Sequence, residues 1–435
     1  MRSGIMHLTR KKFVRNVFIL LSGTAAAQLI SLFTSPIITR LYGPENYGIM
    51  GVFLTLVVIL SPIAAMSYPK AIVLTKSDSE AGRLIKLSLY IAAATAIIFF
   101  ITFLSFSKWI LDIFQLEGIS SFLYLIPFVT LLTGFQEVIE QWLIKTKQFS
   151  VTAKVTVLHS IILQGSKVGV GFFFPFAIVL VGLSALSTGL KVAMMAAFAK
   201  KSGNVPLLKK KESFGEYQKI VVAYKDFPIY RTPQLFVSAI SQNLPILLLT
   251  GFFGPASAGF YAIGKTVLGM PVQLVGKSVG DVFYPRINDA AKKGENLAPL
   301  IYKATLALSL IGIVPFGAVV VFGPELFSFA FGEDWARAGE YARWIAIWYF
   351  TSFINRPSLA SLPVLSVQGF HLIYTIIMLA ACTLALAAGY FLFSSDVAAI
   401  AFFGITGALM NMGLILITSQ ISRKYDEKHG GFPFL

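Results

Sequence analysis

Two lysines stand out because they lie inside long apolar stretches. Lys167 lies in "LHSIILQGSKVGVGFFF" and Lys265 lies in "GFYAIGKTVLGM". An ammonium group near the centre of a bilayer costs about 2.5–3.5 kcal/mol on insertion scales, so it should face a hydrated cavity, a partner or the membrane surface. We expect both lysines to face a cavity, where their chemistry is the binding of anionic groups such as phosphate.

Four further cations in apolar stretches complete a candidate cationic site. They are Arg231, Lys277, Arg15 and Arg356. Arg15 and Arg231 lie near the ends of their stretches, so each can instead extend its charge to the membrane surface. Arg356 precedes Pro357, where we expect the helix to break. Because cations outnumber acids inside the apolar stretches, the sequence predicts an anionic substrate.

Polar residues recur at helical spacing near these cations. Gln273, Lys277 and Asp281 follow each other at four-residue intervals, so they share one helix face. Lys277 either pairs with Asp281 or faces the cavity. The first apolar stretch carries a second polar face, formed by Ser22, Gln28, Ser31 and Ser35. These faces predict that the cavity is hydrated.

Acidic residues are scarce in the apolar stretches. Glu137 and Glu140 lie in "GFQEVIEQW" and, together with Asp281, are candidate coupling acids. The alternative is that the two glutamates pair with basic residues near the same interface, such as Lys145 or Lys147. The chain has one cysteine and four scattered histidines, so we expect no metal site and no cofactor, with H⁺ or Na⁺ as candidate coupling ions.

The composition indicates the element that must position these residues, the transmembrane helix. Hydrophobic residues make up 56% of the 435 and charged residues 13%, whereas a soluble domain has about 25% charged residues. The apolar stretches are continuous rather than alternating, which favours helices. The net charge of +16 lies mostly in short loops, so it indicates membrane orientation rather than a nucleic-acid partner. The sequence predicts an all-α polytopic membrane protein.

The apolar stretches predict twelve transmembrane helices. They lie near 14–39, 47–69, 84–106, 120–142, 151–173, 176–198, 227–251, 258–284, 300–323, 338–363, 370–393 and 397–420. We therefore expect an N-terminal six-helix bundle at 1–200, a basic cytoplasmic linker at 201–226 and a C-terminal six-helix bundle at 227–435. The second part of the linker is either a solvated chain or an amphipathic helix on the membrane, with Phe214, Tyr217, Ile220 and Val221 on one side.

The basic residues of the loops predict the orientation. Both termini and the even-numbered loops are rich in lysine and arginine, whereas the opposite loops carry only Arg40, Lys108 and Arg337. Cytoplasmic loops carry the excess of Lys and Arg, so both termini should be cytoplasmic. We also expect the protein to contact membrane lipids.

A short segment between two apolar stretches, which we call the corner, occurs twice in the sequence. "RLYGPENYGIM" begins at Arg40, and "GFFGPASAGFYAI" begins at Gly251. The shared residues are Gly43, Pro44 and Gly48 in the first copy and Gly254, Pro255 and Gly259 in the second. The first glycine can end a helix in a left-handed conformation, and the proline suits the start of the next helix. Because the corner falls at the same place in each half, it predicts two pseudo-symmetric bundles around a central cavity.

These features resemble a known family. The "ITRLYGPENYGIM" segment and "EQWLIKTKQF" at the junction of the fourth and fifth helices look like the polysaccharide-transporter family, the O-antigen-type flippase branch of the multidrug/oligosaccharidyl-lipid/polysaccharide exporter superfamily. The most specific matches are Arg40, Gly43, Pro44 and Gly48. Whether Arg40 binds substrate or caps the first helix stays open. The peptidoglycan lipid flippases match less well, since they usually have two additional spans.

The resemblance implies a non-enzymatic flippase in a bacterial cytoplasmic (inner) membrane. Its substrate would be an undecaprenyl-diphosphate-linked oligosaccharide, an O-antigen or related repeat unit, moved from the inner to the outer leaflet by alternating access through a cationic cavity. We also expect the polysaccharide polymerase and the chain-length machinery as partners. One alternative is a cation or drug antiporter of the same superfamily, which would need buried acids. Another is a membrane-embedded polymerase or glycosyltransferase, which would need a large outer loop or an acidic metal motif.

Overall fold

The computed structural model describes residues 2–114, 117–201 and 214–429, and within these ranges the chain is helical without strands. It divides into two compact units, Met1–Ala258 and Gly259–Leu435. The first unit therefore includes 227–251, which the sequence analysis placed in the C-terminal bundle. The predicted division into two bundles joined by a linker stays a prediction, and residues 202–213 of that linker lie outside the described residues.

The helices follow the predicted apolar stretches. They are α1 Arg2–Ala64, α2 Tyr68–Ala71, α3 Asp78–Phe114, α4 Leu125–Lys145, α5 Phe149–Gly171, α6 Ala177–Lys201, α7 Phe214–Ala223, α8 Thr232–Phe253, α9 Pro255–Lys292, α10 Leu297–Phe331, α11 Ala336–Ile354, α12 Arg356–Ser361, α13 Gln368–Phe393 and α14 Asp396–His429. A π-helical turn, Phe227–Arg231, precedes α8, and 3₁₀ turns occupy Ile72–Leu74, Glu117–Phe122 and Glu333–Trp335.

Seven helices of the described residues are long and apolar enough to cross a membrane. They are Ser22–Ala64, Asp78–Trp109, Ala177–Lys201, Phe227–Phe253, Leu297–Phe331, Gln368–Phe393 and Asp396–Lys428. This confirms an all-helical protein with several apolar, membrane-length helices. The number of twelve spans stays a prediction.

The repeated corner breaks two long helical segments in the same way. Gly43 interrupts α1 with φ 71° and ψ 171°, and Gly254 separates α8 from α9 with φ 87° and ψ 175°. The positive φ agrees with the expected glycine conformation, but the extended ψ differs from the left-handed helical region. This combination of angles is open essentially only to glycine. A proline follows each glycine and begins the next helical segment, where its missing N–H costs no hydrogen bond.

In the first unit, α1 and α5 pack side by side through small residues. A Cβ added to Gly23 would lie 2.7 Å from the Cβ of Ala153. Further along, the Ser160 hydroxyl donates to the Ala27 carbonyl over 3.1 Å. Residue numbers rise together along both helices, so α1 and α5 run parallel. Small residues at such contacts let helix backbones approach closely in a membrane.

Helix α7 packs within the first unit, against α2, α3 and α4. Ile220 is 5% exposed and lies in a cluster with Tyr68, Leu84 and Trp142. The Arg83 guanidinium pairs with Glu216 over 3.3 Å. The segment 214–223 is therefore helical, and its position on the membrane stays a prediction. Ile220, expected on the membrane-facing side, contacts protein core instead.

A tyrosine beyond the end of α7 adds a second contact with α3. The Tyr224 hydroxyl donates to Oε1 of Glu80 over 3.0 Å. Burial and this hydrogen bond to a carboxylate raise the pKa of Tyr224 to about 12. The phenol therefore stays protonated at neutral pH and keeps donating to Glu80.

In the second unit, glycines allow close contacts between long helices. A Cβ on Gly339 of α11 would lie 2.3 Å from the Gly323 carbonyl oxygen of α10, and a Cβ on Gly404 of α14 would lie 2.5 Å from the Trp344 carbonyl oxygen. At the start of α10, the Asp426 carboxylate accepts hydrogen bonds from the backbone N–H groups of Leu297 and Ala298. These N–H groups have no partner within their own helix, so Asp426 caps α10 from α14.

Candidate functional site

Lys167 is the one charged residue that is buried among the residues the structure describes. It lies on α5, is 7% exposed and belongs to none of the ion pairs among the described residues. Its ammonium lies 3.4 Å from the Sδ of Met50. A thioether is only a weak acceptor and brings no negative charge. The side chain is thus held within the protein without a compensating acid.

The repeated corner supplies the surroundings of Lys167. The Tyr42 hydroxyl donates to the Lys167 carbonyl over 2.9 Å, and the Tyr42 ring covers Gly171, where an added Cβ would lie 2.5 Å from the ring. Asn46 donates to the Pro175 carbonyl over 3.3 Å and accepts from the backbone N–H of Ala177 over 3.0 Å. The corner therefore fixes the end of α5 and the start of α6.

Sequence reasoning missed the residues that make these contacts. Tyr42, Asn46 and Met50 are spaced by four residues along the corner and all contact the segment 167–177. For Asn46 and Met50, which both follow the break at Gly43, the spacing was a usable signal, because residues four apart on a helix share a face. Only the glycines, the proline and the arginine of this segment were predicted from the sequence to be important.

A polar seam continues from Lys167 along α1 and α5. Gln164, one turn before Lys167, donates to the Ser31 hydroxyl over 2.9 Å. The Oε1 atom of Gln28, one turn before Ser31, is buried without a hydrogen-bond partner. Two of the predicted polar residues of the first helix therefore lie in or beside the α1–α5 contact. This seam gives the surroundings of Lys167 several groups that can hydrogen-bond hydroxyls.

The two membrane glutamates are paired with lysines. Glu137 lies 2.9 Å from the Nζ of Lys70, and Glu140 lies 3.1 Å from the Nζ of Lys191. Gln136 also donates to Glu140 over 2.8 Å. The predicted pairing with basic residues is observed, but the partners are not the suggested Lys145 and Lys147. The Lys145 ammonium instead donates to the carbonyl and the hydroxyl of Thr75. Each pair neutralises a carboxylate inside the first unit.

Arg231 and Arg40 are more exposed than Lys167. Arg231 is exposed and donates to the Gln234 side chain over 3.0 Å, so it does not lie in a buried pocket of the first unit. Arg40 is also exposed. Gly48 and Gly259, the last glycines of the two corners, are both buried, as expected for close helix contacts. The side chains of Arg15, Lys277 and Asp281 lie outside the described residues.

In the second unit, Arg356 packs against the helix that carries Lys277. A Cβ on Gly276 of α9 would lie 3.0 Å from the Cζ and Nε of Arg356. The guanidinium therefore rests directly on the α9 backbone, one residue before Lys277. The Arg356 Nε is buried without a hydrogen-bond partner. Lys265 is partly buried and lies nearer the N-terminal end of the same helix.

Arg356 stands at a break between α11 and α12. Asn355, 1% exposed, separates the two helices, and its Nδ2 donates to the Oδ1 of Asn411 on α14 over 3.1 Å. The Oδ1 of Asn355 and the hydroxyl of Ser358 are buried without partners. The break expected at Pro357 thus occurs at Asn355, one residue before Arg356, and residues with unsatisfied buried polar atoms lie close to Arg356 in the chain.

The sites of both units favour anionic, hydroxyl-rich ligands. Lys167 and Arg356 offer charged donors without a described acid partner. Gln28 of the polar seam and Asn355, which precedes Arg356 in the chain, each offer an unsatisfied carbonyl oxygen. Charged donors bind phosphate strongly, and amide oxygens accept hydrogen bonds from sugar hydroxyls.

Comparisons with known proteins give a family and a fold. A family model described as "Polysaccharide biosynthesis protein" matches residues 37–340. A comparison with curated proteins gives no match.

Three solved structures share the fold. The lipid II flippase MurJ in an inward closed conformation has a TM-score of 0.72 at 12% identity, covering 95% of this chain and 90% of that chain. An inward-facing multidrug resistance MATE transporter of the MOP superfamily has a TM-score of 0.66 at 11% identity, covering 94% and 95%. A mutant of the Vibrio cholerae MATE transporter VcmN has a TM-score of 0.57 at 12% identity, covering 95% and 97%. At these identities the likeness shows the fold alone.

Proposed function

Because the chain belongs to the family described as polysaccharide biosynthesis protein, we propose that it is a flippase for lipid-linked oligosaccharides. Its substrate would be an undecaprenyl-diphosphate-linked glycan, an O-antigen or related repeat unit. The head group would move from the inner to the outer leaflet of the cytoplasmic membrane by alternating access. The prenyl chain can stay in the lipid during this movement.

The observation that carries the proposal is the environment of Lys167. A buried ammonium group next to a thioether is costly, and a stable protein would replace it with an apolar side chain. A transporter of anions gains from keeping it, because the charge is compensated when the diphosphate binds. Arg356 packs against α9, and its Nε has no hydrogen-bond partner, so it gives the second unit a cation of the same kind.

The paired glutamates argue against the antiporter alternative. An organic cation would need an available carboxylate, whereas Glu137 and Glu140 each already pair with a lysine. Their proposed role as coupling acids, with H⁺ or Na⁺, would require these pairs to open. We propose that ion antiport is not required, because the membrane potential favours outward movement of anions. Two negative charges gain about 4–5 kcal/mol per 100 mV.

A leaflet-transfer assay with the reconstituted full chain tests the substrate. Lipid-diphosphate glycans are added to the inner leaflet, and their arrival outside is measured for Lys167→Met and Lys265→Ala. Lys167→Met keeps the apolar stem and removes the charge, so it should lower the initial rate about tenfold or more while leaving the thermal stability equal or higher. Lys428→Ala, an exposed lysine near the C-terminus, is the control and should leave the rate unchanged.

Two results would oppose the assignment. If Lys167→Met transported the glycan as fast as the unmodified chain, Lys167 would not bind the substrate. If both the membrane substitutions and Lys428→Ala lowered the rate equally, the effect would come from the overall charge.

The driving force is tested in the same vesicles. Collapsing the membrane potential while the pH gradient is held should slow the transfer strongly. Unchanged flux under this condition would contradict a potential-driven mechanism. A complementary collapse of the pH gradient alone should leave the rate nearly unchanged.

The proposal includes a location and partners. The basic loops favour an orientation with both termini in the cytoplasm. A flipped repeat unit must be consumed in the outer leaflet, so a polysaccharide polymerase and the chain-length machinery are proposed as partners. Protease protection of tags placed at both termini in sealed inner-membrane vesicles would test the orientation.

A further inference from the structure

A groove of about 660 Å³ lies on the first unit along the contact of α1 and α5. Its base consists of the small residues Gly23, Ala26 and Ala153, where the two helix backbones approach closely. Its sides are apolar, with Ile161 52% exposed and Phe198 of α6 36% exposed. The volume is within the range of small-molecule sites, about 300–1,000 Å³.

The groove is amphipathic along its length. Lys154 lines one end, in the first turns of α5, and Ile161 lines the other. These residues are seven apart, which is about 10 Å of helix. Lys154 is exposed and makes no ion pair within the described part of the chain. By the predicted orientation, it lies at the cytoplasmic head-group level, and the apolar part points toward the bilayer centre.

We propose that this groove binds an anionic phospholipid of the cytoplasmic leaflet. The phosphodiester would contact the Lys154 ammonium, and one acyl chain would lie over Gly23 and Ala26. A phosphodiester carries a single negative charge, which one lysine matches. A lipid diphosphate carries about two charges and would need a second cation, and the described lining of the groove contains only Lys154. The site is therefore separate from the proposed substrate site at Lys167, and it does not depend on the flippase activity.

Native mass spectrometry of the full chain in neutral detergent tests the proposal. Phosphatidylglycerol and phosphatidylcholine with identical acyl chains are offered together, and the ratio of bound lipids is measured. The unmodified chain should prefer phosphatidylglycerol. Lys154→Gln should lower this preference about fivefold, the effect of one lysine at a membrane surface. Lys76→Gln, which changes another exposed lysine of the cytoplasmic side, should leave the preference unchanged.

Two further variants separate charge from shape. Ala26→Phe should fill the groove and reduce the binding of both lipids, whereas Lys154→Arg should keep the preference. The thermal unfolding of each variant is compared with that of the unmodified chain to show that it folds.

Three outcomes would overturn the proposal. An unchanged ratio of bound lipids in Lys154→Gln would show that Lys154 does not contact the lipid phosphate. If Ala26→Phe bound as much lipid as the unmodified chain, the lipid would not occupy this groove. Displacement of phosphatidylglycerol by undecaprenyl diphosphate at equal concentration, lost in Lys154→Gln, would assign the groove to the substrate head group instead.

Discussion

Gly43→Ala should destabilise the protein through its backbone alone. A Cβ added at Gly43 meets no atom within 4 Å, so the substitution creates no steric clash with other residues. The cost comes from φ 71° and ψ 171°, which a residue with a Cβ occupies at a cost of about 1–3 kcal/mol. Alanine also restricts the unfolded chain, which returns about 0.4–1 kcal/mol. We therefore expect a net loss of about 1–2 kcal/mol.

The second copy of the corner offers an independent measurement. Gly254 has φ 87° and ψ 175°, and its added Cβ also meets nothing within 4 Å. Gly254→Ala should therefore cost about the same 1–2 kcal/mol. Gly165→Ala is the matched control, because its Cβ is equally free but the residue lies inside α5. There alanine should stabilise by about 0.5–1 kcal/mol.

Denaturant-induced unfolding in mixed micelles, followed by circular dichroism, measures these differences. Gly43→Asn separates two conformations, because asparagine tolerates the left-handed helical region but not the extended region with positive φ. It should be as unstable as Gly43→Ala. The reasoning would fail if Gly43→Ala were as stable as Gly165→Ala, or if asparagine restored the stability.

Three further substitutions test other contacts, the first two by the same unfolding measurement and the third by limited proteolysis. Gly339→Ala should cost about 1–3 kcal/mol, because its Cβ would meet the Gly323 carbonyl and force α10 and α11 apart; an unchanged midpoint would contradict this contact. Asp396→Ala should cost about 1–3 kcal/mol, because its carboxylate accepts hydrogen bonds from Arg337, from a tyrosine hydroxyl and from its neighbouring N–H; Asp396→Asn should lose less. Tyr224→Phe should loosen α7 and increase proteolysis there, whereas equal cleavage rates would show that its hydroxyl does not hold the helix.

The corner shows what local sequence can predict. The Gly-Pro pair between two apolar stretches indicated a glycine-specific break followed by a helix start, and both copies have that form. Local sequence does not determine ψ, because the extended and left-handed conformations share a positive φ. The direction of the following helix depends on packing against distant segments.

The partner of Glu140 shows what local sequence does not predict. Proximity in the chain favoured Lys145, but a residue five positions further along a helix does not share the same face. The actual partner, Lys191, is 51 residues away on α6. Met50, which lies beside Lys167, is 117 residues away. Such contacts depend on which helices pack together. The spacing of residues within one helix does not predict its packing partners.

The helix break at Gly43 consists of a single residue, so this corner has no spare length. One inserted residue would turn the following helical segment by about 100° relative to the preceding one. Met50 would leave Lys167, and Asn46 would leave the start of α6. An insertion here would therefore act like a disruption of the protein interior, although the segment reads as a loop. Epitope tags and topology reporters that most loops between helices accept should be excluded from this corner.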